Sequence, residues 1–114
     1  MLTRKQILAA DDLPRETIEV PEWGGTIIVA AMSGTERDAF EASVVTADGR
    51  PNLKNMRAKL CAACIVDEKG ARLFSPGDIE ALGGKSASAL DRVVQVAQRL
   101  NRLGEKQLEE LKGN

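Results

Sequence analysis

The sequence predicts an α+β fold in which an N-terminal β-hairpin is followed by a small, mainly α-helical bundle. Two runs rich in β-forming residues, 17–20 and 26–31, flank the turn-forming segment 21–25. Helix-capping patterns recur along the rest of the chain, and the last predicted helix carries a long apolar stripe. The chain has 114 residues, which is the size of a single domain with one core.

The N-terminal part is predicted to contain one short helix ahead of the hairpin. Thr3 and Gln6 have the spacing of a capping box, so residues 4–10 are expected to be helical. Residues 1–12 as a whole are expected to be loosely ordered, as are residues 104–114. Trp23 lies at the tip of the hairpin, where it either covers the small aliphatic core or is exposed as an anchor for another protein.

Two helices are predicted after the hairpin. Ser33 and Glu36 form a second capping box, and the helix that follows should stop near residues 48–51, with Phe40 and Val44 on one face. Asn52 is expected to cap the third helix. One side of that helix collects the apolar residues Leu53, Met56, Leu60, Ala63 and Cys64.

The segment after the third helix allows two interpretations. Either Gly70 lies at or just after the end of this helix, or residues 65–74 form a second hairpin around residues 67–70. Residues 75–78 then combine a serine cap, a proline and an acid, which favours a short helix through Leu82. Gly83 and Gly84 are expected to break it.

A last helix is predicted from Ser86 or Ser88 to about Leu103, and the pattern allows an extension through Leu111. Its apolar residues cover an arc of about 180°, whereas packing on a small core requires a stripe of little more than about 100°. They are Leu90, Val93, Val94, Val96, Ala97, Leu100, Leu103, Leu108 and Leu111. Either the earlier elements cover this arc completely, or part of it remains for a partner.

Composition argues against several classes of partner. Sixteen basic and seventeen acidic residues are interspersed and nearly cancel, so binding of nucleic acid is not expected as the main function. The first ten residues lack the pattern of a signal peptide, and no stretch approaches the roughly 20 apolar residues of a membrane span. We therefore expect a cytosolic protein that acts without a membrane.

The residue types also disfavour an enzyme. Cys61 and Cys64 have C-x-x-C spacing, but zinc would need two more ligands, and the chain has no histidine and no other cysteine. We interpret the pair as buried, reduced packing residues. Lys85 and Ser86 follow two glycines as in a phosphate-binding loop, yet Ile79 stands where that motif requires glycine. No pair of carboxylates is marked out for acid–base work, so we expect no catalytic residue, cofactor or metal.

Four segments together resemble the tail assembly chaperones of long-tailed, siphovirus-type bacteriophages. They are Val20-Pro21-Glu22-Trp23-Gly24-Gly25-Thr26-Ile27-Ile28-Val29, Ser33-Gly34-Thr35-Glu36-Arg37-Asp38-Ala39-Phe40-Glu41, Leu73-Phe74-Ser75 and Lys85-Ser86-Ala87-Ser88-Ala89-Leu90-Asp91-Arg92. The resemblance extends over roughly residues 13–103 and depends on the order of these segments, because each alone is weak. It does not include the first dozen residues.

The resemblance implies a protein that works by binding other proteins. Members of this family keep the long, largely helical tape measure protein soluble in the host bacterial cytoplasm, help bring tail-tube subunits to it, self-associate, and are absent from the finished virion. Because a wide apolar arc suits reversible contact with such a partner, we expect Trp23, Val93, Val96, Leu100 and Leu103 to bind protein. The alternatives are a small helical adaptor of unrelated origin and a minor redox protein that uses Cys61 and Cys64.

The resemblance also implies a second, longer product. In this family a fraction of ribosomes slips back one base near the end of the gene, and the added domain contacts the major protein of the tail tube. Lys112, Gly113 and Asn114 can be written AAG GGA AAC, which contains the slippery run G-GGA-AAC. We therefore predict such a run at Gly113 and Asn114, followed by an open overlapping frame.

Overall fold

A computed structural model describes residues 1–103 of the chain and confirms the α+β class. Helix α1 (Arg4–Ala9) precedes strands β1 (Arg15–Val20) and β2 (Gly25–Ala30). Helices α2 (Gly34–Ser43) and α3 (Met56–Cys64) follow, and strand β3 (Ile65–Val66) comes directly after α3. Helices α4 (Ile79–Gly83) and α5 (Ala87–Leu100) complete the described part of the domain. The predicted extension through Leu111 and the predicted loose order of residues 104–114 lie outside the described residues.

The predicted N-terminal hairpin is confirmed. Strands β1 and β2 are antiparallel, with Ile18 opposite Ile27 on the side that packs against the core. A 3₁₀ turn, Pro21–Trp23, joins the two strands. Gly24 ends that turn with a φ of 74°, and its N–H donates to the carbonyl groups of both Val20 and Pro21 at 3.1 Å. Glycine reaches this left-handed conformation without the strain that other residues incur, which is why the chain turns here.

The second capping box is also confirmed, but α2 ends earlier than predicted. The Ser33 hydroxyl accepts from the Glu36 N–H, and the Glu36 carboxylate accepts from the Ser33 N–H at 2.8 Å. The helix ends at Ser43, before residues 48–51, because the chain folds back on itself there. Val45 forms a β-bridge with Pro51, and the N–H of Asn52 donates to the carbonyl of Val44 at 2.6 Å.

The prediction that Asn52 caps α3 is wrong. The helix begins at Met56, and Asn55 precedes it in the left-handed region, at a φ of 55°. Asn52 instead accepts a hydrogen bond from the N–H of Lys54, and Leu53 is exposed outside the helix. The reason is the folded loop at residues 44–52, since its backbone pairing holds Asn52 next to Val44 and delays the start of the helix.

Of the two interpretations of residues 65–74, the second hairpin is correct. Val66 forms a β-bridge with Arg72, and Gly70 takes a φ of 86° in the turn. The Asp67 carboxylate accepts from the N–H groups of Lys69 and Ala71, which fixes that turn. Strand β3 also pairs with β2, so the sheet has the order β1-β2-β3. This third strand was not predicted to join the N-terminal hairpin.

The two remaining helices largely follow the prediction. A 3₁₀ turn, Pro76–Asp78, leads into α4 after the Ser75 and Asp78 capping box. Ser86 caps α5 through a hydrogen bond from the Ala89 N–H. At the other end, Arg102 takes a φ of 54°, and the N–H of Leu103 donates to the carbonyl of Gln98 at 2.8 Å. These features form a Schellman motif, in which Arg102 occupies the position that usually holds glycine.

The core lies between the sheet and the helices α2, α3 and α5. Helix α3 is buried on almost every side, and α5 contacts α3, β1 and β2. Asn101 is the one buried polar residue among those described. Its carbonyl Oδ1 accepts from the N–H of Met32 at 2.7 Å, and its amide group donates to the Ala97 carbonyl at 2.8 Å and to the sulfur of Cys64 at 3.5 Å. A single side chain thus links α3, α5 and the segment between β2 and α2.

Candidate protein-binding surface

The structure separates the four predicted site residues on α5 and just after it into two groups. Val93 and Leu103 lie in the core, with Val93 completely buried. In this conformation both side chains are shielded from solvent, and their role in binding a partner stays a prediction. Val96 and Leu100 pack against the core but remain partly exposed.

Helix α5 has neighbouring elements on both flanks of its wide apolar arc, and they cover much of it. On one flank, Arg57 of α3 pairs with Asp91 at 2.7 Å. On the other flank, Arg92 pairs with Glu22 at 2.8 Å, and Arg99 pairs with Glu16 of β1. Helix α5 therefore packs between α3 and the hairpin, while Val96 and Leu100 of the arc keep part of their surface exposed. A helix with two neighbours needs a wider apolar stripe than one that covers a single surface.

Trp23 lies in a groove that sequence analysis did not predict. We call it the aromatic groove and define it by five apolar residues and two charged residues: Trp23, Leu73, Phe74, Ala81, Leu82, Asp78 and Lys85. Its volume is about 540 Å³, and it is open to solvent. Trp23 and Phe74 are two of the three aromatic residues in the whole chain, so this groove concentrates the residue types that dominate protein interfaces.

Three separate elements build the aromatic groove. Trp23 comes from the 3₁₀ turn of the hairpin and packs partly against the core. Leu73 and Phe74 come from the segment after β3, and Leu73 keeps 52% of its surface exposed. Helix α4 supplies the third wall with Ala81 and the buried Leu82. Trp23 is therefore both a cover of the core and a wall of a solvent-open groove, which combines the two alternatives that the sequence left open.

Two charges of opposite sign border the groove. Asp78 precedes α4, and its carboxylate accepts hydrogen bonds from the N–H and the hydroxyl of Ser75. Lys85 follows α4 at the other end. Helix α4 lies between these two residues in the chain. The groove thus combines apolar walls with one acidic and one basic side chain.

The motifs that carry the sequence resemblance meet at this groove. Trp23, the pair Leu73 and Phe74, and Lys85 come from three of the four segments, which are far apart along the chain. Local periodicity could not have revealed this, because the groove exists only after the hairpin, the segment after β3 and α4 pack together. The shared location indicates that the motifs describe one surface.

A smaller cavity of about 140 Å³ lies behind Phe74, between α2, α3 and residues 72–79. The ion pair of Glu36 with Arg72, at 2.8 Å, lines one side of it. Lys59 also lines it and donates a hydrogen bond from Nζ to the Ser43 carbonyl at 2.7 Å. These charged groups are engaged with each other or with the backbone, so we interpret this cavity as a packing gap beside Phe74.

Both cysteines are buried and reduced. Burial raises the pKa of Cys61 to about 12, and the nearby charges of Cys64 and Asp91 act in the same direction. Burial also raises the pKa of Cys64 to about 11, although the hydrogen bond from Asn101 opposes it. Because the thiolate is the reactive form, neither side chain has the lowered pKa of a redox-active cysteine.

Two further observations concern the described residues. Within residues 1–103, no group of three or more candidate ligand side chains could hold a metal ion. The helices of this part of the chain are all too short or too polar to cross a lipid bilayer.

The fold is similar to that of the tail assembly chaperone of bacteriophage HK97. The two structures superpose with a TM-score of 0.61, over 84% of this chain and 94% of the HK97 chain, at 20% sequence identity. No family model matches the sequence, and no curated protein is significantly similar to it. The resemblance to tail assembly chaperones, first inferred from the four segments, is thus confirmed in the fold.

Proposed function

We infer that this protein is a phage tail assembly chaperone that binds the tape measure protein and keeps it soluble during tail morphogenesis. The observation that carries the proposal is the aromatic groove, where three separated motifs meet on a fold similar to that of the HK97 chaperone. We further propose that the protein works in the host bacterial cytoplasm, helps recruit tail-tube subunits, and is absent from the mature virion.

The physical properties of the groove suit a helical client. An amphipathic helix binds by placing a few apolar anchors in a groove, and aromatic walls provide large contact areas at small entropic cost. The groove is open and its walls are only partly apolar, so contact with any one helix should be weak and reversible. A chaperone that must release its client to a growing tube requires such reversibility.

The experiment is co-expression with fragments of a phage tape measure protein. Leu73→Asp should lose the ability to keep a fragment soluble, because the new carboxylate would be desolvated without a partner in an apolar contact. Leu53→Asp is a matched control, since Leu53 is a similarly exposed leucine, at 47%, that does not line the groove. If Leu73→Asp still solubilises the fragment, or if the control fails as well, the groove is not the client site.

Val96 and Leu100 form a second candidate surface for the same client. Both are partly exposed on α5, on the flank where Arg92 and Arg99 pair with the hairpin. We propose that Val96→Asp and Leu100→Asp abolish solubilisation while circular dichroism shows a folded domain. Unfolding of both variants would instead assign these residues to the core.

The proposed recruitment of the tail-tube protein requires the longer product. The gene should contain a slippery run at Gly113 and Asn114, together with an overlapping frame that continues past the stop codon. The gene sequence decides this, because other codons without such a frame would leave a chaperone with a single form. Gene order separates the proposal from a small helical adaptor, since a chaperone gene should lie between those for the tail-tube and tape measure proteins.

A further inference from the structure

Phe74 lines two separate spaces in the structure. On one side its ring borders the aromatic groove, and on the other side it borders the cavity of about 140 Å³ behind it. The ring is half-buried, and the residue lies between β3 and the 3₁₀ turn Pro76–Asp78. A side chain in this position moves from the groove into the cavity if the cavity has room for it and if nothing else fills that room.

The cavity is large enough for a phenyl ring. An apolar cavity of about 150 Å³ holds a benzene molecule, and the cavity behind Phe74 is nearly as large. A ring placed there would regain the dispersion contacts that its lining atoms now lack. Apart from Phe74, six residues form the less polar part of its lining: Ala39, Phe40, Ala62, Ala63, Pro76 and Ile79.

The other residues around the cavity do not fill it. Ile79 is β-branched, so rotation about its Cα–Cβ bond is restricted, and it packs against the core. The ion pair of Arg72 with Glu36, at 2.8 Å, joins the segment before Phe74 to α2 and holds the two sides of the cavity in place. Three further residues are alanines, which have no side chain that could rotate inward: Ala39, Ala62 and Ala63.

The backbone around Phe74 is held on both sides. The N–H of Leu73 donates to the carbonyl of Ile65 at 3.2 Å. The N–H of Ser75 donates to the carboxylate of Asp78 at 2.9 Å. Since these contacts fix the neighbouring peptide groups, rotation of the Phe74 side chain is the movement that connects the groove with the cavity.

We propose that the Phe74 ring turns from the aromatic groove into the cavity behind it, and that the widened groove then takes one bulky apolar side chain of a helical client. The proposal deepens the proposed function, because the identity of the occupant as a client rests on that function. The movement of the ring concerns this chain alone and does not depend on the client.

The movement gives the groove a preference among apolar anchors. A ligand shifts a conformational equilibrium only by its differential affinity for the two states. A bulky ring needs the space that Phe74 vacates, so it binds the widened groove better than the narrow one. A methyl group needs no such space and binds both states alike. The groove should therefore favour large apolar side chains over small ones.

Filling the cavity tests the movement. Ala39 is exposed on α2 and lines the cavity, so Ala39→Leu occupies the space without replacing a buried residue. Ala42→Leu is the matched control, because Ala42 is an exposed alanine of the same helix that does not line the cavity. Circular dichroism should show that both variants are folded.

Indole serves as the probe, because it is the ring of a bulky aromatic anchor and is larger than the benzene that a cavity of this size holds. Ligand-observed NMR measures its dissociation constant. Ala39→Leu should raise this constant at least about tenfold, and Ala42→Leu should leave it unchanged. In a Phe74→Ala chain no ring needs the cavity, so adding Ala39→Leu should change indole binding little.

Fluorine NMR observes the ring directly. The chain has two phenylalanines, Phe40 and Phe74, so labelling with 4-fluorophenylalanine gives two signals. Phe74→Leu identifies the Phe74 signal by its loss. Saturating indole should shift that signal in the wild type and in Ala42→Leu, and it should shift it much less in Ala39→Leu.

Three results would overturn the movement of the ring. The first is a wild-type chain that does not bind indole. The second is an Ala39→Leu chain that binds indole like the wild type or shows the same shift of the Phe74 signal. The third is a loss of affinity on Ala39→Leu that is equal with and without the Phe74 ring.

Peptides separate this proposal from the proposed function. A helical peptide from a tape measure protein is made with one anchor position as alanine or tryptophan. The wild type should prefer the tryptophan peptide, and Ala39→Leu should abolish the preference but still bind the alanine peptide. If indole behaves as expected but neither peptide binds, the ring moves and the client function is wrong. If both peptides bind and Ala39→Leu changes neither the preference nor indole binding, the client function stands and the ring does not move.

Discussion

Asn101 illustrates how one polar side chain can fix the relative positions of distant elements. Its side chain satisfies the N–H of Met32 and the carbonyl of Ala97, and its backbone carbonyl accepts from the Arg37 guanidinium at 2.9 Å. Met32 is 69 positions away along the chain. A buried amide with all its groups satisfied specifies one arrangement of the core, because any other arrangement would leave polar groups unpaired.

We predict that Asn101→Ala destabilises the domain by about 1–3 kcal/mol, since the buried N–H of Met32 loses its acceptor. Urea denaturation followed by circular dichroism measures this change. Gln95→Ala is the control, because Gln95 is exposed on α5, and its replacement should leave stability nearly unchanged. Equal stabilities of the two variants would mean that the Asn101 network does not hold the elements together.

At the scale of single elements, the helices and turns are determined by short local patterns. The capping boxes at Thr3, Ser33 and Ser75 all form in the structure. The turn at Gly24 is equally local, since its left-handed backbone follows directly from the turn-forming sequence around it.

Alanine substitutions at two glycines distinguish the effect of backbone conformation on stability from the effect of packing. Gly24 has a φ of 74° and Gly34 begins α2, yet a methyl group added at either position would meet no atom within 4 Å. Gly34→Ala should therefore stabilise the domain by about 0.4–1 kcal/mol, because the unfolded chain loses freedom. Gly24→Ala should destabilise it by about 1–2 kcal/mol, because alanine is strained in the left-handed region. Thermal unfolding of both variants gives the comparison, and changes of the same sign would contradict it.

At the scale of the whole molecule, the sequence predicts those features that depend on residues close to one another along the chain. The hairpin, the caps and the helical class follow from local spacing. The attachment of β3 to β2 and the position of Asn55 ahead of α3 depend on contacts between distant segments, and local patterns do not encode these.

In the candidate site, too, local sequence patterns predict some features, and only tertiary packing produces the others. The apolar arc of α5 was visible in the sequence, but how much of it faces α3 and the hairpin depends on tertiary packing. Trp23 was recognised as singular from composition alone. Its groove was not, because Leu73 and Lys85 reach it only through the packing of separate elements.

The ionisable groups predict a stability maximum between mildly acidic and mildly alkaline pH. On the acid side, burial acts to raise the pKa of Glu36, but hydrogen bonds from Ser33 and Arg72 outweigh it and hold the pKa below its ordinary value of 4.5. A lowered folded-state pKa gives stability that is present above the ordinary value and is lost as pH falls through the folded value. The capping box and the ion pair at Glu36 therefore weaken on acidification.

At alkaline pH, ionisation of the two cysteines in the unfolded chain lowers the free energy of unfolding. Their pKa values are raised from 9.0 to about 12 for Cys61 and about 11 for Cys64, so both thiols stay protonated in the folded state while they ionise in the unfolded chain. Stability is fully present below pH 9 and is lost progressively above it, by up to about 1.4 kcal/mol per pH unit for each thiol.

Urea denaturation at pH 7, 9 and 10.5 tests this dependence of the free energy of unfolding on pH. The wild type should lose stability above pH 9, and Cys61→Ala combined with Cys64→Ala should lose markedly less over the same interval. At pH 7 the double variant should be less stable, because each lost sulfur leaves a gap in the core. It should still keep a tape measure fragment soluble, since neither thiol reaches the aromatic groove. Parallel pH profiles would show that the thiols do not control alkaline stability, and loss of the client from a folded double variant would show that they do more than pack.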